Sequence, residues 1–259
     1  MTNDAAALLT GLHIWAFAFV LIMARVGAAM TLLPGLGEVQ PPTMLRLGLS
    51  IGVTALLLPS IAPSIPPVPE AGMQAGFMVA AEVITGLWLG WLARLMALAL
   101  PIAGQYIAYM MGVANVLQPD PELGSEATPI AQLFAVVAPV AILVTGLYAL
   151  PLAALAGSYR LIPAGALLPP ADSTQTAVRA VGMAFALAVR LASPFLLVAI
   201  VWHVAIGLLA RLVPRLQVYF VVMPGQILGG IVLLVVLATS LLSAWQAAIR
   251  SGFATLPGS

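Results

Sequence analysis

Four charged side chains stand inside otherwise apolar runs: Arg25, Glu82, Arg94 and Arg190. Unpaired at mid-bilayer depth, each would cost about 2.5–3.5 kcal/mol, and the four together would cost as much as the whole stability of a domain. Each must therefore meet a counter-charge or water. One chemistry that meets this demand is an ion or proton path. Another is structural pairing, such as Arg25 with Glu82, or an arginine snorkelling to an interface. A proton relay wants several acids at depth and the runs supply one, which favours pairing. A third possibility uses Glu82, Arg94 and Arg190 as the mid-depth site of a small-solute transporter or channel.

Three of the remaining acids gather in one loop, where Asp120, Glu122 and Glu126 lie among Pro119, Pro121 and Pro129, and no other loop holds more than one acid. That pattern fits a solvated loop, or an element that lines or blocks an aqueous path. It is a poor metal site, because no histidine is near and the spacing matches no calcium loop. His13 and His203 fall in different runs, neither with a second ligand at helical spacing, so packing is expected of them and metal is not. No Gly-x-Ser-x-Gly elbow, phosphate loop or His-Glu-x-x-His motif occurs, so neither catalysis nor a cofactor is expected. The absence of cysteine excludes disulfides and thiolate metal sites.

The elements that must hold these residues follow from composition. Of 259 residues, 63% are hydrophobic and 7% charged, against about 25% charged in a soluble domain. Eight acids and nine bases cannot clothe a water-soluble surface of this size. The net charge is +1 and every base is arginine, so no basic face is large enough for nucleic acid. What remains is an all-α polytopic membrane protein in contact with lipid. Spanning helices need about 20 apolar residues, and six runs qualify: 5–33, 45–62, 73–100, 130–156, 178–210 and 218–245. Ser193-Pro194 is expected to kink or divide the fifth, and a seventh piece, 102–117, is expected as a short separate helix after Pro101. Proline- and glycine-rich connections punctuate the runs, and their lack of alternation excludes barrel strands. With no internal repeat, residues 1–259 are expected to form a single integral unit without a separate soluble domain.

Asp4 and the length of the first run argue against a cleaved signal. Arg211 and Arg215 favour a cytoplasmic fifth connection and Arg250 a cytoplasmic tail, although one span separates them. The conflict resolves if one segment fails to cross, or if the arginines are neutralised inside an assembly. Four small-xxx-small pairs, Gly48/Gly52, Gly72/Gly76, Gly86/Gly90 and Gly225/Gly229, hint at close helix packing. Trp245 is placed as an interfacial anchor, and Trp88 and Trp91 as deeper packing residues.

Three stretches taken in order resemble the FliR family of flagellar export proteins and its type III secretion counterparts. The first is Arg25, then Leu33-Pro34-Gly35-Leu36-Gly37, Arg46-Leu47-Gly48 and Leu58-Pro59. The second runs from Glu82 through Gly86, Gly90, Gly104 and Gly112 to Asp120-Pro121. The third is Gly207, Arg211, Pro214-Arg215-Leu216-Gln217, then Pro224 and Gly229. Leu36, Met110, Arg215, Gln217 and Val222 depart from the family's usual residues, while the order and spacing from 25 to 234 are kept. The resemblance implies about six long helices in hairpins, packed within a hetero-oligomeric export gate of the bacterial inner (cytoplasmic) membrane and flagellar basal body. The implied partners are FliP-like and FliQ-like subunits, FlhB-like and FlhA-like export proteins, and unfolded secreted proteins as cargo. It also implies that segment 112–128, with Gly112, Asn115, Asp120, Pro121, Glu122 and Glu126, is the channel plug.

Overall fold

The computed structural model describes residues 2–38, 42–113, 127–212 and 218–259. Seven α-helices and no strand occur among them: α1 Thr2–Leu32, α2 Thr43–Ile61, α3 Gly72–Met110, α4 Pro129–Val144, α5 Ala149–Leu161, α6 Pro170–Leu212 and α7 Val218–Phe253. A 3₁₀ turn, Ala62–Ser64, follows α2. Among the described residues, five helices are long and apolar enough to cross a membrane, or six if α4 and α5 count as one bent span.

Proline and glycine act differently here from their sequence reading. The piece after Pro101 is no separate helix, because α3 runs through Pro101 to Met110. Losing one backbone hydrogen bond is outweighed where the flanking Leu100, Ala103 and Ile107 are all buried. Pro194 does not divide α6 either. A proline there leaves the Arg190 carbonyl without its helical donor, and the Ser193 hydroxyl donates to that oxygen at 2.7 Å. The run 130–156, expected as one span, is instead broken and bent by 72° between α4 and α5. Gly146 takes φ +72 at the break. The Leu147 amide donates to the Ile142 carbonyl at 3.1 Å and the Gly146 amide to Leu143 at 3.3 Å, which closes α4 in a Schellman cap.

The chain packs as two compact units. One comprises residues 1–96, 142–180 and 250–259, the other residues 97–141 and 181–249. In the first, Leu21, Ile22, Val26 and Met30 of α1 are buried along with Leu92 and Ala93 of α3, each large side chain contributing about 1.5–3 kcal/mol. Two α3 glycines set how closely these helices approach. A Cβ on Gly86 would collide with the Arg25 carbonyl, and one on Gly90 would lie 2.7 Å from the Ala29 carbonyl. Because Gly86 meets Arg25 and Gly90 meets Ala29 and Leu32, α1 and α3 run in the same direction. Gly48, Gly52, Gly72, Gly76 and Gly229, by contrast, have no atom of another element nearby. In the second unit, Leu100, Ala103 and Ile107 of α3, Phe134 of α4 and Leu191 and Phe195 of α6 form the core. Trp245, expected at an interface, is 0% exposed, while Trp91 is partly exposed. Position along a run sets depth, but the face a residue occupies decides its burial.

Candidate functional site

Helix register brings Arg25 of α1 and Glu82 of α3 together one turn from the Gly86 contact, both 0% exposed. The Arg25 Nε donates to Glu82 Oε2 at 2.7 Å and Nη2 donates to Oε1 at 3.0 Å, the two-pronged geometry that suits guanidinium to carboxylate. Two further donors reach the first unit's other elements. Nη1 donates to Ser158 Oγ of α5 at 3.1 Å, and Nη2 also donates to the Ile162 carbonyl at 3.1 Å. The Gly165 amide donates to Glu82 Oε1 at 2.7 Å, and the Tyr159 ring lies 3.9 Å from the guanidinium carbon, a cation–π contact. The Ser158 hydroxyl in turn donates a hydrogen bond to the Leu155 carbonyl at 2.7 Å. Both carboxylate oxygens are engaged, so this acid works as a lock between α1, α3 and α5. Buried charge of this kind survives only with such complete hydrogen bonding.

A second contact ties the turn after α1. The Arg94 Nη2 stands 3.7 Å from Glu38 Oε2, with both side chains partly exposed. The Glu38 carbonyl accepts from Arg46 Nη2 at 2.6 Å. Pro34 and Gly37 are buried in this turn, where the Gly37 amide donates to the Leu33 carbonyl at 2.6 Å.

In the second unit, two glutamines hold the described ends of the expected plug segment. Gln226 Nε2 of α7 donates to the Met110 carbonyl at 2.9 Å, beside Gly112, whose φ is +75. Gln105 Oε1 of α3 accepts from the Thr128 amide at 3.1 Å and from its hydroxyl at 3.0 Å. Gly104 packs against Ala131 and Phe134 of α4. Asn115, Asp120, Pro121, Glu122, Glu126 and Pro214 lie outside the described residues. Arg211 is exposed near the end of α6, and Pro224 is exposed inside α7.

Arg190, expected among buried charges, is exposed on α6. It has no acidic partner among the described residues. The helix turns it away from the rest of its unit.

The profile of bacterial export proteins, family 1, matches residues 16–252. The chain belongs to that family. Among relatives of this export protein, the flagellar biosynthetic protein FliR of Caulobacter vibrioides is 29% identical over 225 residues, 87% of this chain and 90% of its own. FliR of Bacillus subtilis is 27% identical over 85% of each chain. That of Escherichia coli is 24% identical over 83% of this chain and 82% of the other.

Sequence reasoning reached the charges of the export protein but missed the groups that complete their surroundings. Ser158, Tyr159 and Gly165 carry no local mark of a role. Glu38 could have been found, since it directly follows the family-like turn and is the one acid between α1 and α2; its carboxylate faces Arg94 and its carbonyl accepts from Arg46. Gln105 and Gln226 could have been found as amides in strongly apolar helices, where a polar side chain needs a named partner.

Proposed function

We propose that this chain is a core subunit of the flagellar type III protein export gate in the bacterial inner membrane, lining the channel and gating it for unfolded substrates. The observation that carries this reading is the end-to-end match to proteins named flagellar biosynthetic protein FliR, over more than four-fifths of both partners in each comparison. The structure supports it through surface: only 17% of the most apolar 18-residue stretch of α2 and 6% of that of α7 are buried within the chain, which leaves apolar helix to be covered by FliP-like, FliQ-like, FlhB-like and FlhA-like partners. Segment 112–128 acts as the plug, and its described ends are held by Gln226 and Gln105. Irregular backbone suits such a place, where protein and water replace lipid. Against the transporter reading speaks the commitment of both oxygens of Glu82 to Arg25 and Gly165.

The test is recovery of a tagged chain from its own cells, together with ion conductance across their inner membrane. FliP-like and FliQ-like subunits should co-purify, and removing 114–126 should raise ion leak with the assembly intact. Recovery of the chain alone, with solute uptake when it is reconstituted by itself, would refute the gate. Unchanged leak and secretion after loop removal would refute the plug.

A further inference from the structure

We infer that the outward face of α6 from Met183 to Gly207 is a docking seam for one apolar helix of another chain, and that this helix carries an acidic side chain opposite Arg190. The inference rests on the export-gate reading and names the chemistry of a partner surface within it. Met183, Arg190, Leu197 and Val204 recur every seventh residue, and Ala186, Ser193, Ile200 and Gly207 fall between them at the same interval. A seven-residue stripe sustained over this length is the pattern of a helix–helix seam. Its face is uncovered: Met183 is 48% exposed, Leu197 64%, Ile200 54% and Val204 58%. Ala186, Ser193 and Gly207 are also exposed, and nothing lies within 4 Å of where a Gly207 Cβ would sit. Small residues alternating with large ones let a second backbone approach closely.

Charge selects the occupant. Arg190 is the one charge between Met183 and Gly207, and it has no acidic partner among the described residues. Glu82 and Glu38 are held by Arg25 and Arg94. Ser193 already donates to the Arg190 carbonyl at 2.7 Å, so its hydroxyl proton is committed. Acyl chains offer the guanidinium nothing. A second copy docked α6 against α6 brings to the seam only further arginine, since α6 carries Arg190 and Arg211 along this stripe and no acid there. An apolar helix with one aspartate or glutamate satisfies both the stripe and the charge, and a single charged pair in an apolar seam fixes register and partner choice.

The tagged chain is expressed in its native host and the co-purified export subunits are quantified per chain, at matched membrane levels. Arg190→Met should lower recovery at least tenfold by stranding the partner's acid, while Arg190→Lys keeps most of it. The loss with Arg190→Glu should be reversed by an acid-to-base change in an apolar helix of a co-purified subunit. Wild-type recovery with Arg190→Met would mean that lipid covers the face and would overturn the inference. So would suppressors of Arg190→Glu confined to this chain. Should Arg190→Met not accumulate, Leu197→Trp obstructs the same seam, and undiminished recovery with it overturns the inference equally. If the unsubstituted chain recovers no export subunits, the gate reading falls and this inference falls with it.

Discussion

Helices α3 and α7 are alike in length, 39 and 36 residues, and both are apolar almost throughout. Of the most apolar 18-residue stretch of each, the chain buries 56% in α3 and 6% in α7. The difference lies in what meets them. On α3, Gly86 and Gly90 admit the backbone of α1, and Glu82 beside them finds a complete set of donors. On α7, Gly229 has the same four-residue spacing from Gly225 yet nothing of this chain near it. Hydropathy thus states that a segment leaves water without saying what replaces the water. For α3 the replacement is encoded in the same polypeptide; for most of α7 it is not.

The sharpest way to break the contrast is at Glu82. Glu82→Ala should destabilise the chain by about 3–5 kcal/mol, because it leaves a buried guanidinium unpaired. The double variant Arg25→Met/Glu82→Leu should recover much of that loss, as read by thermal unfolding in detergent. Equal losses in the single and double variants would show the pair to be uncoupled. Next in size, Gly86→Ala should cost about 1–3 kcal/mol by forcing α1 and α3 apart, whereas Gly229→Ala should stay within about 0.5 kcal/mol. If both behave alike, the packing difference between α3 and α7 is not real. The smallest effect is expected where the packed region meets its edge. Arg94→Gln should cost no more than about 1 kcal/mol and weaken with salt, since Arg94 and Glu38 are 31% and 22% exposed and 3.7 Å apart.

The helical, membrane-spanning character was readable because long apolar runs leave few alternatives. Individual breaks were harder to read. Pro101 and Pro194 looked like stops, yet burial of the flanking residues at one and the Ser193 hydroxyl at the other offset the lost backbone bond. Gly146, one glycine among 23, turned the chain where no proline marked it. The destination of Glu82 could be reasoned out, since an acid in an apolar run must meet a cation. The contributions of Ser158, Ile162 and Gly165 could not, because they arrive from distant helices through tertiary geometry alone. The surroundings of Arg190 were hidden for a related reason: spacing along a helix gives its face, and only the packed chain tells which faces it fills itself.

The lock around Arg25 also orders how the protein is made. Its carboxylate lies 57 residues downstream, but the hydroxyl and carbonyl that take its other donors lie 133 and 137 residues downstream. At about 5–20 residues per second of synthesis, the ribosome delivers those groups several seconds after Glu82. Through that interval the nascent α1 and α3 hold a guanidinium whose last two acceptors have not yet been made.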